Sequence, residues 1–211
     1  MRPIFPVIVV AAFLSGSAVR GQNDPNKMPA RDAHQDVVIA VDTYHTEALA
    51  KEKFGKKNPY DAGILAVEVV MRNDNDRAVK VDLDTIRLLL AAPGQQRQRL
   101  VPLALEDVLN KVLYKGGGPE ATKRRTPIPR LPGASKPSKE WQELEEKWRP
   151  LVFEMDILPP KSTVHGVMFF DVNRYFEWVQ YARFYVPDVT FEQDGKALLF
   201  FEVELAPIVR Q

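Results

Sequence analysis

The sequence predicts a mainly β protein, built as an antiparallel β-sandwich with a short helical insertion. Runs in which apolar and polar residues alternate recur along the chain, and this is the period of a strand with one buried face. Turn-forming residues, rather than regularly spaced helices, separate most of these runs, which argues against a doubly wound parallel sheet. The apolar fraction of 45% and the charged fraction of 27% are those of an ordinary globular domain.

Residues 1–21 predict a secretory signal peptide. Arg2 gives a positive start, an apolar run covers residues 4–14, and small residues precede a cleavage position after Gly21. Because a transmembrane helix needs about 20 apolar residues, we prefer a cleaved signal to an uncleaved anchor and expect no transmembrane span in the mature chain. The protein is therefore expected to be exported, either periplasmic or secreted. It contains no cysteine, so we expect neither a lipid anchor nor disulfide bonds.

The folded domain is predicted to begin after a polar arm. Residues 22–35 contain two prolines and few apolar side chains, which predicts a flexible N-terminal arm. The β-sandwich domain is assigned to residues 36–211, and its first strand is predicted from the β-branched run at 36–44. Residues 46–54 predict a short helix that Thr46 caps.

Residues 63–73 form the clearest predicted strand. One of its faces is apolar, whereas the other carries Glu68 and Arg72 and is expected to meet solvent. An Asn/Asp-rich turn follows at residues 73–76. Further strands are predicted at residues 78–82, 85–91, 151–158, 164–172 and 197–205. Residues 100–103 are a short apolar piece, and residues 183–191 are predicted to be extended with an interruption at Pro187.

Two of the later strands carry specific expectations. Alternation in the strand at 151–158 places Phe153, Met155 and Ile157 on a buried face. Gly166 lies inside the strand that follows, and a glycine within a strand predicts a bulge or the close approach of another backbone.

Residues 104–150 are predicted to be an insertion between strands. Apolar residues at helical spacing predict a helix at 105–114, and a second helix is predicted at 140–148. The segment between them contains five prolines and four glycines and is expected to be irregular. Seven basic residues and one acidic residue give residues 115–139 a net charge of +6. This charge indicates either a solvated loop or a patch for an anionic surface, such as phospholipid headgroups or an acidic polymer.

Two segments resemble exported bacterial immunoglobulin-like domains of the telokin-like kind. Residues 63–81 combine a strand, an Asn/Asp turn and a returning strand. Residues 158–172 combine a proline-led crossing, a mid-strand glycine and a pair of phenylalanines. The resemblance implies an immunoglobulin-like antiparallel β-sandwich in an envelope or secreted protein. It implies no site residues, and the long insertion departs from the compact pattern of such domains.

The patterns of known catalytic and metal sites are not found in the sequence. The three histidines, His34, His45 and His165, lack metal-ligand spacing, and the mature chain has no Gly-x-Ser-x-Gly motif. Five strand carboxylates are expected opposite the apolar faces: Glu68, Glu154, Asp156, Glu202 and Glu204. The aspartates at positions 74, 76, 82 and 84 are assigned to turns rather than to a calcium site. We therefore expect no catalytic residue, no metal, no cofactor and no nucleic-acid partner.

Two groups of residues are the predicted binding candidates. The first is an aromatic stretch at residues 175–185, which forms either a plug at one end of the sandwich or an exposed platform for a glycan or a partner protein. Its candidates are Tyr175, Phe176, Trp178 and Tyr181. The second group is Arg124 and Arg125 in the basic segment.

These observations lead to three hypotheses about function. We expect a non-enzymatic exported protein that binds a protein or glycan partner in the cell envelope or outside the cell. The second hypothesis is an envelope-associated hydrolase acting on polysaccharide, which requires buried carboxylates. The third is a structural protein that docks to an anionic surface through residues 115–139.

Replacement of both Arg124 and Arg125 with glutamine tests the third hypothesis. We expect the double variant to bind anionic lipid vesicles more weakly by roughly 1 kcal/mol per arginine. The loss should be largest at low salt, because salt shortens the reach of surface charge. Co-sedimentation with vesicles at low and high salt measures it. Equal binding by both proteins at low salt would rule out docking through these arginines.

Overall fold

The structure is a computed structural model that describes residues 24–114 and 138–209. The predicted signal peptide and residues 115–137 of the basic segment lie outside these ranges. The described part is mainly β, with eleven strands in three antiparallel sheets and four α-helices. Within the described ranges, no helix has both the length and the apolar character needed to cross a membrane.

Three sheets, named A, B and C, contain all of the strands in the described ranges. Sheet A contains β1 (Ala30–His34), β2 (Val37–Thr43), β3 (Ile64–Asn73) and β8 (Ser162–Asp171), in that spatial order. Sheet B contains β4 (Val79–Val81), β7 (Ile157–Leu158) and β10 (Val189–Phe191), with β4 in the middle. Sheet C contains β5 (Arg87–Leu90), β6 (Gln98–Leu100), β9 (Ala182–Val186) and β11 (Phe201–Glu204), in the spatial order β11-β9-β5-β6.

The helices predicted from the sequence are confirmed. They are α1 (Glu47–Phe54), α2 (Leu105–Tyr114) and α3 (Lys139–Trp148), and a fourth helix, α4 (Ala206–Val209), ends the described chain. The N-terminus of α1 is capped by Thr46, whose hydroxyl accepts a hydrogen bond from the Leu49 amide at 3.3 Å. Ser138 caps α3 in the same way, since its hydroxyl accepts from the Trp141 amide at 3.2 Å.

Sheet A has a buried apolar core on each of its faces. On one face, Leu65, Val67 and Met71 of β3 join a cluster with the inner residues of sheets B and C. On the other face, Phe169 of β8 packs with Phe54 of α1, and both belong to a second cluster that includes residues of α2 and α3. Burial of one such phenylalanine contributes about 1.5–3 kcal/mol to folding.

This second core corrects the expectation that one face of residues 63–73 meets solvent. Ala66 and Val70 are each 1% exposed on that face. The helices of the insertion, together with α1, supply part of the cover, because Leu105, Leu109 and Trp148 belong to the cluster on this side. The alternation of residues within a strand shows only the polarity of that strand. It does not show which distant segment packs on the strand, so the sequence did not reveal this layer.

A strand also lies in the predicted N-terminal arm. Residues 30–34 form β1, which pairs antiparallel with β2 through a tight turn at Gln35 and Asp36, both with positive φ. The domain therefore begins before residue 36. In β1 only Ala30 is buried, so the apolar alternation that marks the other strands is too weak here to predict it.

The strand predicted at residues 151–158 is mostly irregular. Only Ile157 and Leu158 form a strand, and Met155 and Ile157 are 52% and 37% exposed rather than buried. Phe153 is buried as expected, and its amide donates to the carbonyl of Val167 at 3.0 Å. The segment therefore follows β8 for one residue and then turns away, which breaks the alternation.

Sheets A and C are joined along the seam between β1 and β11. The Glu202 amide donates to Asp32 at 3.0 Å, and the Leu199 amide donates to Gln35 Oε1 at 2.7 Å. The His34 ring stacks on Phe201 with the ring centroids 3.8 Å apart. Side chains of β1 and of the turn after it thus accept hydrogen bonds from backbone amides in and next to β11. These bonds satisfy donors that would otherwise be unpaired at the sheet edge.

Asn73 ties sheet A to sheet B. Its side chain is fully buried, and Nδ2 donates to the carbonyls of Arg77 at 2.8 Å and Leu158 at 3.1 Å. Its Oδ1 accepts from the Asn75 amide at 3.0 Å. In the Asn/Asp turn predicted at 73–76, the side chain of Asn73 therefore supplies hydrogen bonds to backbone groups in and around the turn.

Gly166→Ala should test the close approach predicted for this glycine. An added Cβ would lie 2.6 Å from Phe153 Cα and 2.7 Å from Phe153 N, and both are backbone atoms that cannot move independently. We expect a loss of about 2–3 kcal/mol in the free energy of unfolding, measured by urea denaturation. The neighbouring exposed residue gives the control, and His165→Ala should stay within about 0.5 kcal/mol of the parent. An alanine variant as stable as the parent would contradict the contact.

Candidate functional site

The predicted aromatic residues lie on the 3-10 turn Phe176–Tyr181, between β8 and β9. Tyr175 stacks on Trp178 with centroids 4.2 Å apart and an interplanar angle of 6°. Phe176 stacks on Tyr60 at 4.0 Å. Tyr175 and Tyr181 are 42% and 40% exposed, whereas Trp178 and Phe176 are half-buried. The stretch therefore contributes both to packing and to the surface, and the other two candidates, Arg124 and Arg125, lie outside the described residues.

The start of this turn is fixed by two residues with left-handed backbone. Asn173 and Arg174 have φ values of 48° and 69°. Arg174 Nη2 donates to the carbonyl of Asp61 at 2.5 Å, and its amide donates to the carbonyl of Gly63. Val179 is fully buried and anchors the middle of the turn. The positions of Tyr175 and Tyr181 are thus set by a packed segment rather than by a free loop.

The turn ends at a groove of about 400 Å³ at one end of sheet C. We call it the arginine groove, because three arginines line it: Arg97 and Arg99 at β6, and Arg183 of β9. The polar and aromatic lining residues are Arg97, Gln98, Arg99, Gln180, Tyr181, Arg183 and Glu204. Three arginines and one glutamate give this lining a net charge of +2.

Strand register explains why these side chains converge. Leu89 of β5 lies opposite Arg99 of β6 on one side and opposite Arg183 of β9 on the other. Arg183 in turn lies opposite Glu204 of β11. Because directly opposed residues point to the same face of an antiparallel sheet, these four residues form one row across the outer face of sheet C. The buried residues Leu88 and Leu90 point to the other face, into the core.

The arginines of the groove differ in how far they are neutralised. Arg183 Nη1 lies 2.6 Å from Glu202, and its Nη2 lies 3.3 Å from Glu204. Arg97 and Arg99 are exposed and form no ion pair with any residue that the structure describes. The guanidinium groups of Arg97 and Arg99 therefore remain able to bind an anion, and guanidinium binds carboxylates in a bidentate manner.

Only a weak signal for this site is present in the sequence. Arg97 and Arg99 were interpreted as part of a polar turn, although their spacing of two is that of one face of a strand. The structure instead has a strand at this place, β6, which contains Arg99 and begins directly after Arg97. Arg183 belongs to a predicted extended segment and Glu204 to a predicted strand, but only strand pairing shows that they share a row with Arg99.

A second cleft, of about 240 Å³, lies between α2 and β8 and contains carboxylates. Arg149 sits among them, 3.2 Å from Glu106 and 3.8 Å from Glu154, and also pairs with Glu145. The hydrogen bonds that Arg149 donates to Glu145 and then to Glu106 raise the pKa of Arg149 above its ordinary value. Glu106 and Glu154 are exposed, and all three carboxylates are partners of a cation, unlike the desolvated acid of a glycosidase.

Three of the turn aspartates are engaged locally. Asp74 pairs with Arg72 at 2.9 Å, and Asp76 pairs with Lys161 at 3.0 Å. Asp82 accepts from the Asp84 amide at 3.0 Å. Among the described residues, no group of three or more His, Asp and Glu side chains is placed to hold a metal ion.

Glu68 departs from its expected exposure, because α1 lies over this part of sheet A. Its carboxylate accepts a hydrogen bond from the Tyr44 hydroxyl and lies 3.5 Å from Lys53 Nζ. Burial and then the Glu68 hydrogen bond raise the pKa of Tyr44 above its usual value. The pair forms a polar contact between α1 and β3 beside the second core.

Tyr44 gives the protein a specific response to alkaline pH. Its pKa is raised in the folded state, so its contribution to stability is complete below the unfolded value of about 10 and is lost as the pH rises above it. We expect the stability difference between the parent and Tyr44→Phe to shrink above pH of about 10. Urea denaturation at a series of pH values measures this difference. A difference that stays constant across the alkaline range would contradict the shift.

No match to a known protein bears on this site. Comparison of the chain with protein-family models, with curated proteins and with solved structures found no match. The resemblance to telokin-like domains therefore rests on residues 63–81 and 158–172 alone. The arginine groove is supported by its own geometry and charge.

Proposed function

We propose that the protein is an exported, non-enzymatic β-sandwich that binds a partner in the arginine groove. The observation that carries this proposal is the pair Arg97 and Arg99, exposed and without a described ion-pair partner, beside the exposed ring of Tyr181. Arginine and tyrosine are the side chains most enriched at binding hot spots. The partner is a protein or a glycan that carries acidic groups.

The sheets support an immunoglobulin-like arrangement. Sheet A covers one side of a common apolar core, and sheets B and C cover the other side. Two layers of antiparallel strands around one core are the architecture of a β-sandwich. The two segments that resemble telokin-like domains, residues 63–81 and 158–172, contribute β3 and β8, which are neighbours in sheet A.

The proposed compartment follows from the chain's first residues and its composition. The tripartite pattern of residues 1–21 is that of a secretory signal, and the chain has no cysteine that would need an oxidising or reducing environment. The cell envelope and the extracellular space contain acidic polymers and proteins, which are suitable partners for a groove with a net positive lining.

The anionic-surface hypothesis remains a second candidate, because the net charge of +6 on residues 115–139 favours it. It differs from the groove proposal in the arginines that it needs. Binding that depends on Arg97 and Arg99 indicates the groove, whereas binding that depends on Arg124 and Arg125 indicates the basic segment. The two sets of variants therefore separate the candidates.

Charge reversal tests the groove. We expect the double variant Arg97→Glu/Arg99→Glu to bind polyglutamate or polygalacturonate at least tenfold more weakly than the parent at low salt, since two attractive contacts become repulsive. Isothermal titration calorimetry with each polymer measures the affinity.

A matched control is available on another sheet. Lys80 is exposed on β4 and forms no ion pair with a described residue. The substitution Lys80→Glu therefore changes the net charge by as much as each arginine substitution does, but it lies outside the groove. It should bind as the parent does. Parent-like binding of both polymers by the double variant would overturn the proposal, provided that its thermal unfolding is unchanged.

A further inference from the structure

The strand edges of the structure differ in how they are covered. β11 faces β1 across the seam that Asp32 and Gln35 close. In β8, the carbonyl of Phe169 accepts a hydrogen bond from the Leu103 amide at 2.8 Å, and the carbonyl of Val167 accepts one from the Phe153 amide at 3.0 Å. β10 accepts from the Leu198 amide at 2.8 Å. Each of these edges is therefore occupied by another part of the chain.

The outer edge of β6 is not covered in this way within the described part of the chain. β6 is the last strand in the order β11-β9-β5-β6 and pairs with β5 alone. No backbone hydrogen bond from outside sheet C reaches residues 98–100 within the described ranges. Gln98 and Arg99 are exposed there. An uncovered strand edge is a template for the backbone of another chain.

The side chains beside this edge define what a docked strand would carry. Arg97 and Arg99 are two residues apart, which in extended chain is about 6.6 Å, and both line the groove. A strand added to β6 repeats its side chains at the same spacing. Acidic residues at alternate positions would therefore meet both arginines, and the intervening residues would extend the row formed by Leu88 and Leu100.

We infer that an extended acidic segment of a partner protein adds to the outer edge of β6 as a further strand of sheet C, beside the arginine groove, and places its acidic side chains on Arg97 and Arg99 at the rim of that groove. The segment alternates acidic and apolar residues. Its backbone pairs with β6, and its acidic side chains pair with Arg97 and Arg99. This inference rests on the proposed function, and it selects a peptide over an acidic glycan because strand spacing matches the two arginines.

A fluorescent peptide of alternating glutamate and valine tests the inference by anisotropy at low salt. Two further peptides carry N-methyl groups, one on every glutamate nitrogen and one on every valine nitrogen. Alternate residues of a strand point their amides to opposite edges, so only one methylated peptide loses its bonds to β6. We expect that peptide to bind at least tenfold more weakly, and the other to stay within about twofold of the parent peptide.

Protein variants test the charge pairing. Arg97→Glu/Arg99→Glu should weaken binding of the glutamate peptide by about tenfold and should bind a lysine–valine peptide more tightly than the parent protein does. Lys80→Glu should change neither affinity. This exchange of partners requires that the acidic side chains meet these two arginines, which a general loss of folding would not produce.

The outcomes separate the inference from the proposed function. If both methylated peptides bind as the unmodified peptide does, or if polygalacturonate binds through Arg97 and Arg99 while the peptide does not, strand addition is overturned and the groove remains a binding site. If neither the peptide nor polygalacturonate binds, both proposals fail.

Discussion

The central strand of sheet A holds the other parts of the structure in place. β3 pairs with β2 along most of its length and with β8 along all of it, and each of its faces is buried in a separate apolar core. The first core joins sheet A to sheets B and C, and the second joins it to the helices. Because every layer is positioned against this sheet, a slip of one residue in β3 would exchange the contents of the two cores.

Two close contacts fix that register. Gly166 on β8 lies directly opposite Val69 of β3 and also allows the backbone of Phe153 to approach. Asn73, at the end of β3, satisfies carbonyl groups of the chain that enters and leaves sheet B. The first contact sets how the segment after α3 crosses the sheet, and the second sets where β4 begins and where β7 ends. Neither contact tolerates a shifted pairing, since buried polar groups without partners are costly.

The sequence predicted local secondary structure better than it predicted which segments pack against each sheet. The helices α1, α2 and α3 were predicted within one residue of their observed bounds, because their caps and apolar spacing are local signals. β1 was missed because its pairing depends on backbone bonds to β2 rather than on apolar side chains. The second core was missed because its residues come from segments far apart in the chain. Long-range packing of this kind leaves no periodic pattern within any one strand.

The candidate site shows the same division. The aromatic residues at 175–181 were noticed because they cluster in sequence, and part of the cluster is used for packing. The arginine groove went unnoticed because Arg99, Arg183 and Glu204 meet only through the order of strands in sheet C. Strand order is a property of topology, which a single sequence with short, similar strands does not specify.

The order of layers has a geometric consequence for the insertion. Helices α1, α2 and α3 lie on the far side of sheet A, whereas the arginine groove opens on the outer face of sheet C. The last residue of α2 and the cap of α3, between which the basic segment runs, thus belong to the layer opposite the groove. Both layers of strands and the apolar core between them therefore separate the arginine groove from α2 and α3, so a change made at one of these two surfaces leaves the other untouched.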